Sequence, residues 1–318
     1  LAVSGSGSVT SGNVGSGKSV TLGTLALANG TGSASNYSLS SVSFEISQRP
    51  LTLNASKVYD GATSIQGSDI TTFTNIVGSE TLVVTGSGSV SSANVGTGKS
   101  VTLGSLALAN NTGLSGNYSI SSVSASITQR PINLSGSRTY DATRTANGSD
   151  FSLANLVTGE TLNISGSGTL GSPAAGTQTV VNTNTLALAN GSGSASNYSL
   201  VGGTLTMTIL PRSTSVTGSR SYDGTQTINP SDLTLFSNLA GSDTLSFTGS
   251  GTVVSANVGT GKNVSLGSLA LDNSSGVGSN YTLSSATVDI TQRVLNLDGV
   301  RAFDGSTTAS SSNITVGN

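Results

Sequence analysis

Hydrophobic positions along this chain mostly fall two apart, in short runs separated by Gly, Ser, Asn and Thr. In residues 51–131 the runs are Leu51-Thr52-Leu53, Leu82-Val83-Val84, Val101 to Leu108 and Tyr118 to Ile127. Alternation rich in β-branched residues and bounded by turn formers predicts strands. Two runs change phase midway. Val101 and Leu103 share one phase and Leu106 and Leu108 the other, with one residue too many at Gly104-Ser105. That slip predicts a β-bulge. It recurs at Gly23 and Gly267, and at Asn184, the next-best residue for a left-handed backbone. Likewise Tyr118 and Ile120 are out of phase with Val123, Ala125 and Ile127. The stretch Ser68-Asp69 followed by Ile70, Phe73 and Ile76 instead predicts one capped helical turn.

The whole pattern repeats. Asn followed by Tyr and then Ser or Thr recurs at Tyr37, Tyr118, Tyr198 and Tyr281, at intervals of 81, 80 and 83 residues. An aromatic followed by Asp recurs at Tyr59-Asp60, Tyr140-Asp141, Tyr222-Asp223 and Phe303-Asp304, at intervals of 81, 82 and 81. Tandem repetition at this period assigns function to the array rather than to one pocket. The expected units are residues 51–131, 132–212 and 213–294, flanked by the back part of a repeat at 1–50 and the front part of another at 295–318. Residue 1 aligns with Leu82 and residue 318 with Thr74. Two expectations follow: a window from a longer array, or halves that complete one another between molecules. Between units, Ile127-Thr128-Gln129-Arg130 runs straight into Pro131-Ile132 with no flexible tract. The expected architecture is therefore all-β, a tandem array of β-sandwich or β-grasp-like domains in a stiff rod. At about 3.3 Å per residue, strands of ten to twelve residues make each unit roughly 35–40 Å long.

Composition narrows the function. Charged residues are 8% and aromatics 4% of the chain, 42 residues are Gly, and the net charge is −2. Regular aliphatic positions argue against disorder. Cys and His are absent, which excludes disulfides, thiolate metal sites and any Ser-His-Asp or Cys-His catalytic set. No enzyme is expected. The charge balance argues against nucleic acid, and no apolar run reaches the roughly 18 residues of a membrane span. Most cations are placed by the repeat. Arg49, Arg130, Arg212 and Arg293 follow the last strand; Lys57, Arg138, Arg220 and Arg301 precede the aromatic-Asp phrase; Lys18, Lys99 and Lys262 follow a Gly-rich turn. Such regularity predicts structural pairing.

Three motifs carry candidate chemistry. Gly12 to Ser19 matches the phosphate-loop pattern, yet Val20-Thr21-Leu22 continues as a strand where that loop needs a helix. A turn is expected, and no nucleotide. Asp60/Asp69, Asp141/Asp150 and Asp223/Asp232 recur as pairs. They are candidates for weak calcium binding, or the aspartate after the aromatic caps its own turn. The recurring tyrosines are either sugar-stacking platforms or core residues whose hydroxyls reach a partner.

Tyr59-Asp60-Gly61, then Asn94-Val95-Gly96-Thr97-Gly98-Lys99, then Gly116-Asn117-Tyr118-Ser119, resemble the tandem YDG-type repeats of large bacterial adhesins akin to filamentous haemagglutinin, which are exported by two-partner secretion. Tyr140-Asp141-Ala142 departs from the pattern, Phe303 replaces Tyr, and Pro173-Ala174-Ala175 replaces the Asn-Val-Gly phrase. The resemblance implies an extracellular, cell-surface stalk supporting attachment, aggregation or biofilm matrix. Its implied partners are neighbouring repeats, with exopolysaccharide or another cell surface beyond them. A carbohydrate-binding array and a head-to-tail filament are the rival readings.

Overall fold

The structure, a computed structural model, describes residues 1–317; Asn318 lies outside the described residues. It is mostly β, and every helical segment among the described residues is a three-residue 3-10 turn. None is long and apolar enough to cross a membrane.

Residues group into two compact units. One comprises Leu1–Ile132, Asn155–Asn163 and Ala189–Gly203; the other comprises Asn133–Ala154, Ile164–Leu188 and Thr204–Asn318. The first contains a complete repeat. Its main sheet runs Gly96–Ser100, Tyr118–Thr128, Arg49–Val58, Ile70–Thr74. The central pair, Tyr118–Thr128 with Arg49–Val58, is parallel, and its neighbours are antiparallel. A second layer pairs Leu82–Thr85 with Ala107–Asn110. Between the layers lie Leu51, Leu53, Leu82, Val84, Leu106, Tyr118 and Val123, all buried. Inward-facing residues of a strand alternate with outward ones, so Leu51 and Leu53 are 0% exposed while Thr52 and Asn54 face out.

The second unit carries the same plan in two six-stranded sheets. In one of them Arg212–Ser221 pairs in parallel with Tyr281–Thr291 and antiparallel with Leu233–Ser237. Its core joins Val216, Ile228, Leu233, Val253, Val264, Leu269, Ala286, Val288 and Ile290.

The two phase slips resolve differently. In Tyr118–Thr128 the register against Arg49–Val58 shifts between Ile120 and Ser122, which is the expected bulge. The slip at Gly104-Ser105 is a tight turn, with Leu106 N–H donating to Leu103 C=O at 2.9 Å and Gly104 at φ 57°. The chain leaves the main sheet after Ser100 and enters the second layer at Ala107. One extra residue thus changes sheets rather than bulging one sheet. The helical expectation also shrinks. Helix is confined to Gly67–Asp69, and Ile70–Thr74 is a strand. Asp69 caps the turn, its Oδ2 accepting the Gln66 N–H at 2.7 Å. The phosphate-loop match is strand from Gly15 to Thr21, with no helix behind it.

Candidate functional site

Repeats meet almost strand to strand. After Tyr118–Thr128, Gln129 alone intervenes before Arg130–Pro131, which pairs in parallel with Tyr198–Ser199 of the next repeat. Gln129 Nε2 donates to Ser196 C=O at 3.1 Å. The Arg130 guanidinium grips the loop ahead: Nε donates to Asn155 C=O at 2.6 Å and an Nη to Asn155 Oδ1 at 2.8 Å. Asn155 holds φ 67°, a left-handed conformation Asn tolerates. Arg49 with Asn75, and Arg212 with Asn238, repeat this fork.

The two recurring phrases are opposite halves of this junction. Tyr59, from the aromatic-Asp phrase of one repeat, inserts against Tyr198, from the Asn-Tyr-Ser phrase of the next. The rings meet edge to face, with centroids 5.4 Å apart at 79°, a favoured aromatic geometry. Both hydroxyls donate to Glu160: Tyr59 to Oε1 at 2.5 Å and Tyr198 to Oε2 at 2.6 Å. Tyr198 Oη in turn accepts the Val157 N–H at 3.0 Å. Beside them Asn197, 1% exposed, accepts the Val95 N–H at 2.9 Å and donates to Asn94 Oδ1 at 3.0 Å. The Asn-Val-Gly turn and the Asn-Tyr-Ser strand thus interlock across the repeat boundary.

The second unit holds an equivalent junction. Tyr140 packs on Tyr281 at 5.4 Å and 77°. Both hydroxyls donate to the same oxygen, Asp243 Oδ2, at 3.0 and 2.7 Å. Asn280 accepts the Ala175 N–H at 2.8 Å. Burial and the neighbouring carboxylate push Tyr59 and Tyr281 up to about 12, and raise Tyr198 and Tyr140 as well.

The aspartate of each phrase works in its own loop. Lys57 Nζ and the Ala62 N–H donate to Asp60 Oδ1 at 2.8 and 2.9 Å. Arg138–Asp141, Arg220–Asp223 and Arg301–Asp304 form the same i,i+3 ion pair. Burial acts to raise Asp60 and Asp141, but Lys57 and the Ala62 N–H at Asp60, and the Thr143 N–H and hydroxyl with Arg138 at Asp141, outweigh it and hold both carboxyls below their usual range. At Asp223 the Thr225 N–H leads in lowering the carboxyl. Asp232 Oδ2 accepts the Asn229 N–H at 2.9 Å, as Asp69 does for Gln66.

Asp150 holds the place of Asp69 and Asp232 in its own repeat. It closes the 3-10 turn Gly148–Asp150, as Asp69 closes Gly67–Asp69, but the reciprocal capping box of the other two turns is missing there. The strand Thr145–Asn147 lies between Asp141 and Asp150 along the chain, and the Asp141 carboxylate accepts from Arg138 and Thr143. Calcium needs six to eight converging oxygens. Among the described residues, no three or more His, Cys, Asp or Glu side chains gather as a metal-binding group.

Gly61 completes the phrase. It holds φ 78°, and a Cβ there would lie 2.9 Å from Val157 Cγ1 of the next repeat. Ala142 occupies the same place at φ 64°. The position equivalent to Val157 is there Ala240, which likewise donates its N–H to the junction tyrosine, Tyr281, at 3.0 Å. The departure from glycine is matched by a smaller residue across the junction.

Of the recurring tyrosines, Tyr59, Tyr118, Tyr140, Tyr198 and Tyr281 are buried, which is the core placement; Tyr37 is 61% and Tyr222 39% exposed. The carboxylates at their centre, Glu80, Glu160 and Asp243, are not flagged by the aspartate pairing. Their signal is an acid preceding Thr-Leu in each repeat: Glu80-Thr81-Leu82, Glu160-Thr161-Leu162 and Asp243-Thr244-Leu245.

The YDG domain family matches the chain three times in tandem, over residues 47–126, 126–207 and 203–288, and the chain belongs to that family. No curated protein and no solved structure matches it.

Proposed function

We propose that these YDG domains form a structural stalk of a large extracellular bacterial adhesin. They hold a binding region away from the cell surface, for attachment, aggregation or biofilm matrix, and they catalyse nothing. One observation carries this reading: the residues that define the repeat are spent on joining repeats. Tyr59 and Tyr140 are inserted and capped by a carboxylate, and Asp60 and Asp141 brace the loops that present them. A residue committed to a buried junction is withdrawn from ligand, whereas a spacer has use for a joint that resists bending. A junction made of a strand continuing into a strand, an arginine fork and an aromatic pair supplies that resistance.

Small-angle scattering of the 318-residue chain tests the reading. The expected result is an extended particle, with a maximum dimension on the order of 150 Å for four units. The double variant Tyr59→Ala/Tyr140→Ala should broaden the distance distribution as the joints loosen. A compact globule, or a variant that scatters like the parent, would refute the stalk.

A further inference from the structure

In each matched domain the first and last strands lie side by side and run the same way. Arg49–Val58 pairs in parallel with Tyr118–Thr128, from Arg49 beside Tyr118 to Val58 beside Thr128. Arg212–Ser221 pairs likewise with Tyr281–Thr291, from Arg212 beside Tyr281 to Ser221 beside Thr291. Asn133–Thr139 pairs in parallel with Leu205–Leu210. The chain therefore enters a repeat at one end of this strand pair and leaves it at the other. Tension along the chain draws the first strand toward its N-terminus and the last strand toward its C-terminus. The pair is loaded in shear.

Shear matters because of how hydrogen bonds share a load. Strands peeled apart across their width lose their bonds one after another, each at low force. Strands drawn past one another must lose all of them within one small displacement, so the resisting forces add. The pair is also sheltered. It holds the centre of its sheet, with Gly96–Ser100 on one side and Ile70–Thr74 on the other. Leu51, Leu53, Ala55, Val123, Ala125 and Ile127 bury its inner face. Away from water such bonds are electrostatically stronger. In the third repeat Gly259–Ser265 and Leu233–Ser237 flank the pair in the same way.

Two features oppose slippage. A sliding strand would recover its bonds by moving two residues, which keeps every side chain on its own face. Bulges pin the register against that movement. They lie between Ile120 and Ser122 in one pair and between Leu283 and Ser285 in the other. Ser284, the extra residue, donates its hydroxyl to Thr214 C=O at 2.9 Å. The second feature is the junction. Tyr59 directly follows the first strand, and Glu160 of the next repeat holds its hydroxyl. As tension carries the next repeat away, the first strand slides only if Tyr59 leaves that contact. Tyr140 and Asp243 stand in the same relation.

We propose that each repeat is a force-bearing clamp. The parallel pair of first and last strands keeps the repeat folded under tension along the chain, and the inserted tyrosine of the aromatic-Asp phrase reinforces it. This goes beyond the stalk reading, which concerns extension and the bending of joints. A chain can scatter as an extended particle and still unravel when pulled, and a clamp can hold in a chain that bends. Scattering and pulling therefore fail separately.

Single-molecule pulling of the 318-residue chain, held by its two ends, is the test. Three ruptures are expected, each releasing about 250 Å as one repeat extends. The chain has no cysteine of its own, so Thr52→Cys and Ser122→Cys supply a second pair of handles. These exposed positions lie side by side on the two strands and load the pair across its width. Held there, the repeat should yield at a severalfold lower force. Two substitutions then separate the clamp from general stability. Val123→Ala and Val84→Ala each trim one buried valine of the same core, the first in the strand pair and the second in the other layer. Val123→Ala should lower one of the three rupture forces, and Val84→Ala should leave all three unchanged. Equal forces in the two pulling directions overturn the proposal. So do ruptures that respond alike to the two substitutions.

Discussion

The junction of Tyr59 and the junction of Tyr140 use one plan with different parts. Around Tyr59 the acid is Glu160, whose two oxygens each take one tyrosine hydroxyl, at 2.5 and 2.6 Å. Around Tyr140 the shorter Asp243 offers a single oxygen to both, at 3.0 and 2.7 Å. Asn197 makes two cross-boundary hydrogen bonds at the first junction. At the second, Pro173-Ala174-Ala175 leaves Ala174 where Asn94 stands, and Asn280 keeps the bond to a backbone N–H. What survives both versions is the aromatic pair with its shared carboxylate. What drifts is the polar trimming around it. The lesson is that the joint is selected as a shape with one capped aromatic knob, and the remaining bonds adjust its strength.

The largest effect should come from removing the cap. Glu160→Ala leaves two buried tyrosine hydroxyls without their acceptor, at about 1–3 kcal/mol for each. Asp243→Ala removes a weaker, shared acceptor and should cost less. Hydrogen exchange of the strands Arg49–Val58 and Tyr118–Thr128 would register the first loss; the strands Arg212–Ser221 and Tyr281–Thr291 would register the second. Equal effects would break the comparison.

High pH should act on both junctions. Tyr59 and Tyr281 are raised to about 12 from 10.0. A folded-state value above the unfolded one means the unfolded tyrosine ionises first. The stabilisation is therefore full below pH 10 and is lost as the pH climbs from 10 to 12. At 1.36 kcal/mol per unit this amounts to about 2–3 kcal/mol for each tyrosine. Melting curves followed by tyrosinate absorbance should show late ionisation coinciding with unfolding. Tyrosines that titrate near 10 in a fully folded chain would contradict the buried clasp.

Removing one hydroxyl is milder. Tyr59→Phe deletes a bond to a charged acceptor, typically about 1.5–3 kcal/mol, while keeping the ring contact. Tyr140→Phe should cost less, because its bond to Asp243 is longer and shares an oxygen. Paired chemical melts read the difference, and the sharper the contrast, the more the second oxygen of Glu160 matters.

Much of the fold was legible from alternation and period. Leu51, Leu53, Val84 and Val123 sit where the two-residue rhythm places them. The strand-to-strand joint at Arg130–Pro131 follows from the absence of a flexible tract. The bulge near Ile120 was readable because a phase slip within one paired strand leaves both neighbours in place. The slip at Gly104 looked the same in one dimension but marks a passage between sheets. Phase cannot tell these apart, because both insert one residue and only the pairing partners differ. Ile70, Phe73 and Ile76 suggested helical spacing, yet Ile70–Thr74 pairs with Arg49–Val58, and tertiary pairing overrides a three-residue coincidence. The ion pairs of Lys57 and its equivalents were signalled by their regular placement. The junction was not visible as a site, because Tyr59 and Tyr198 lie 139 residues apart and Glu160 lies in a third segment. No periodicity links Tyr59 to Tyr198 in the next repeat; the fold brings them together.

The smallest expected effects concern the residue after the aspartate, and they bear most directly on how the two junctions differ. Gly61 and Ala142 both hold a left-handed backbone, at φ 78° and 64°. That conformation costs an L-residue roughly 1–2 kcal/mol and costs Gly almost nothing, while Gly loses about 0.5–1 kcal/mol more entropy on folding. Ala142→Gly should thus stabilise its junction by at most about 1 kcal/mol. Gly61→Ala should destabilise by about 1 kcal/mol from backbone strain alone, and by more because its Cβ would meet Val157 Cγ1 at 2.9 Å. The second junction answers this clash with Ala240. Gly61→Ala combined with Val157→Ala should therefore recover the steric part of the loss and leave the strain. Thermal melts of the two singles and the double give the coupling between the positions. A double variant no better than the sum of its singles would show that Ala240 is not the counterpart of Val157, and that the two junctions are closed in different ways.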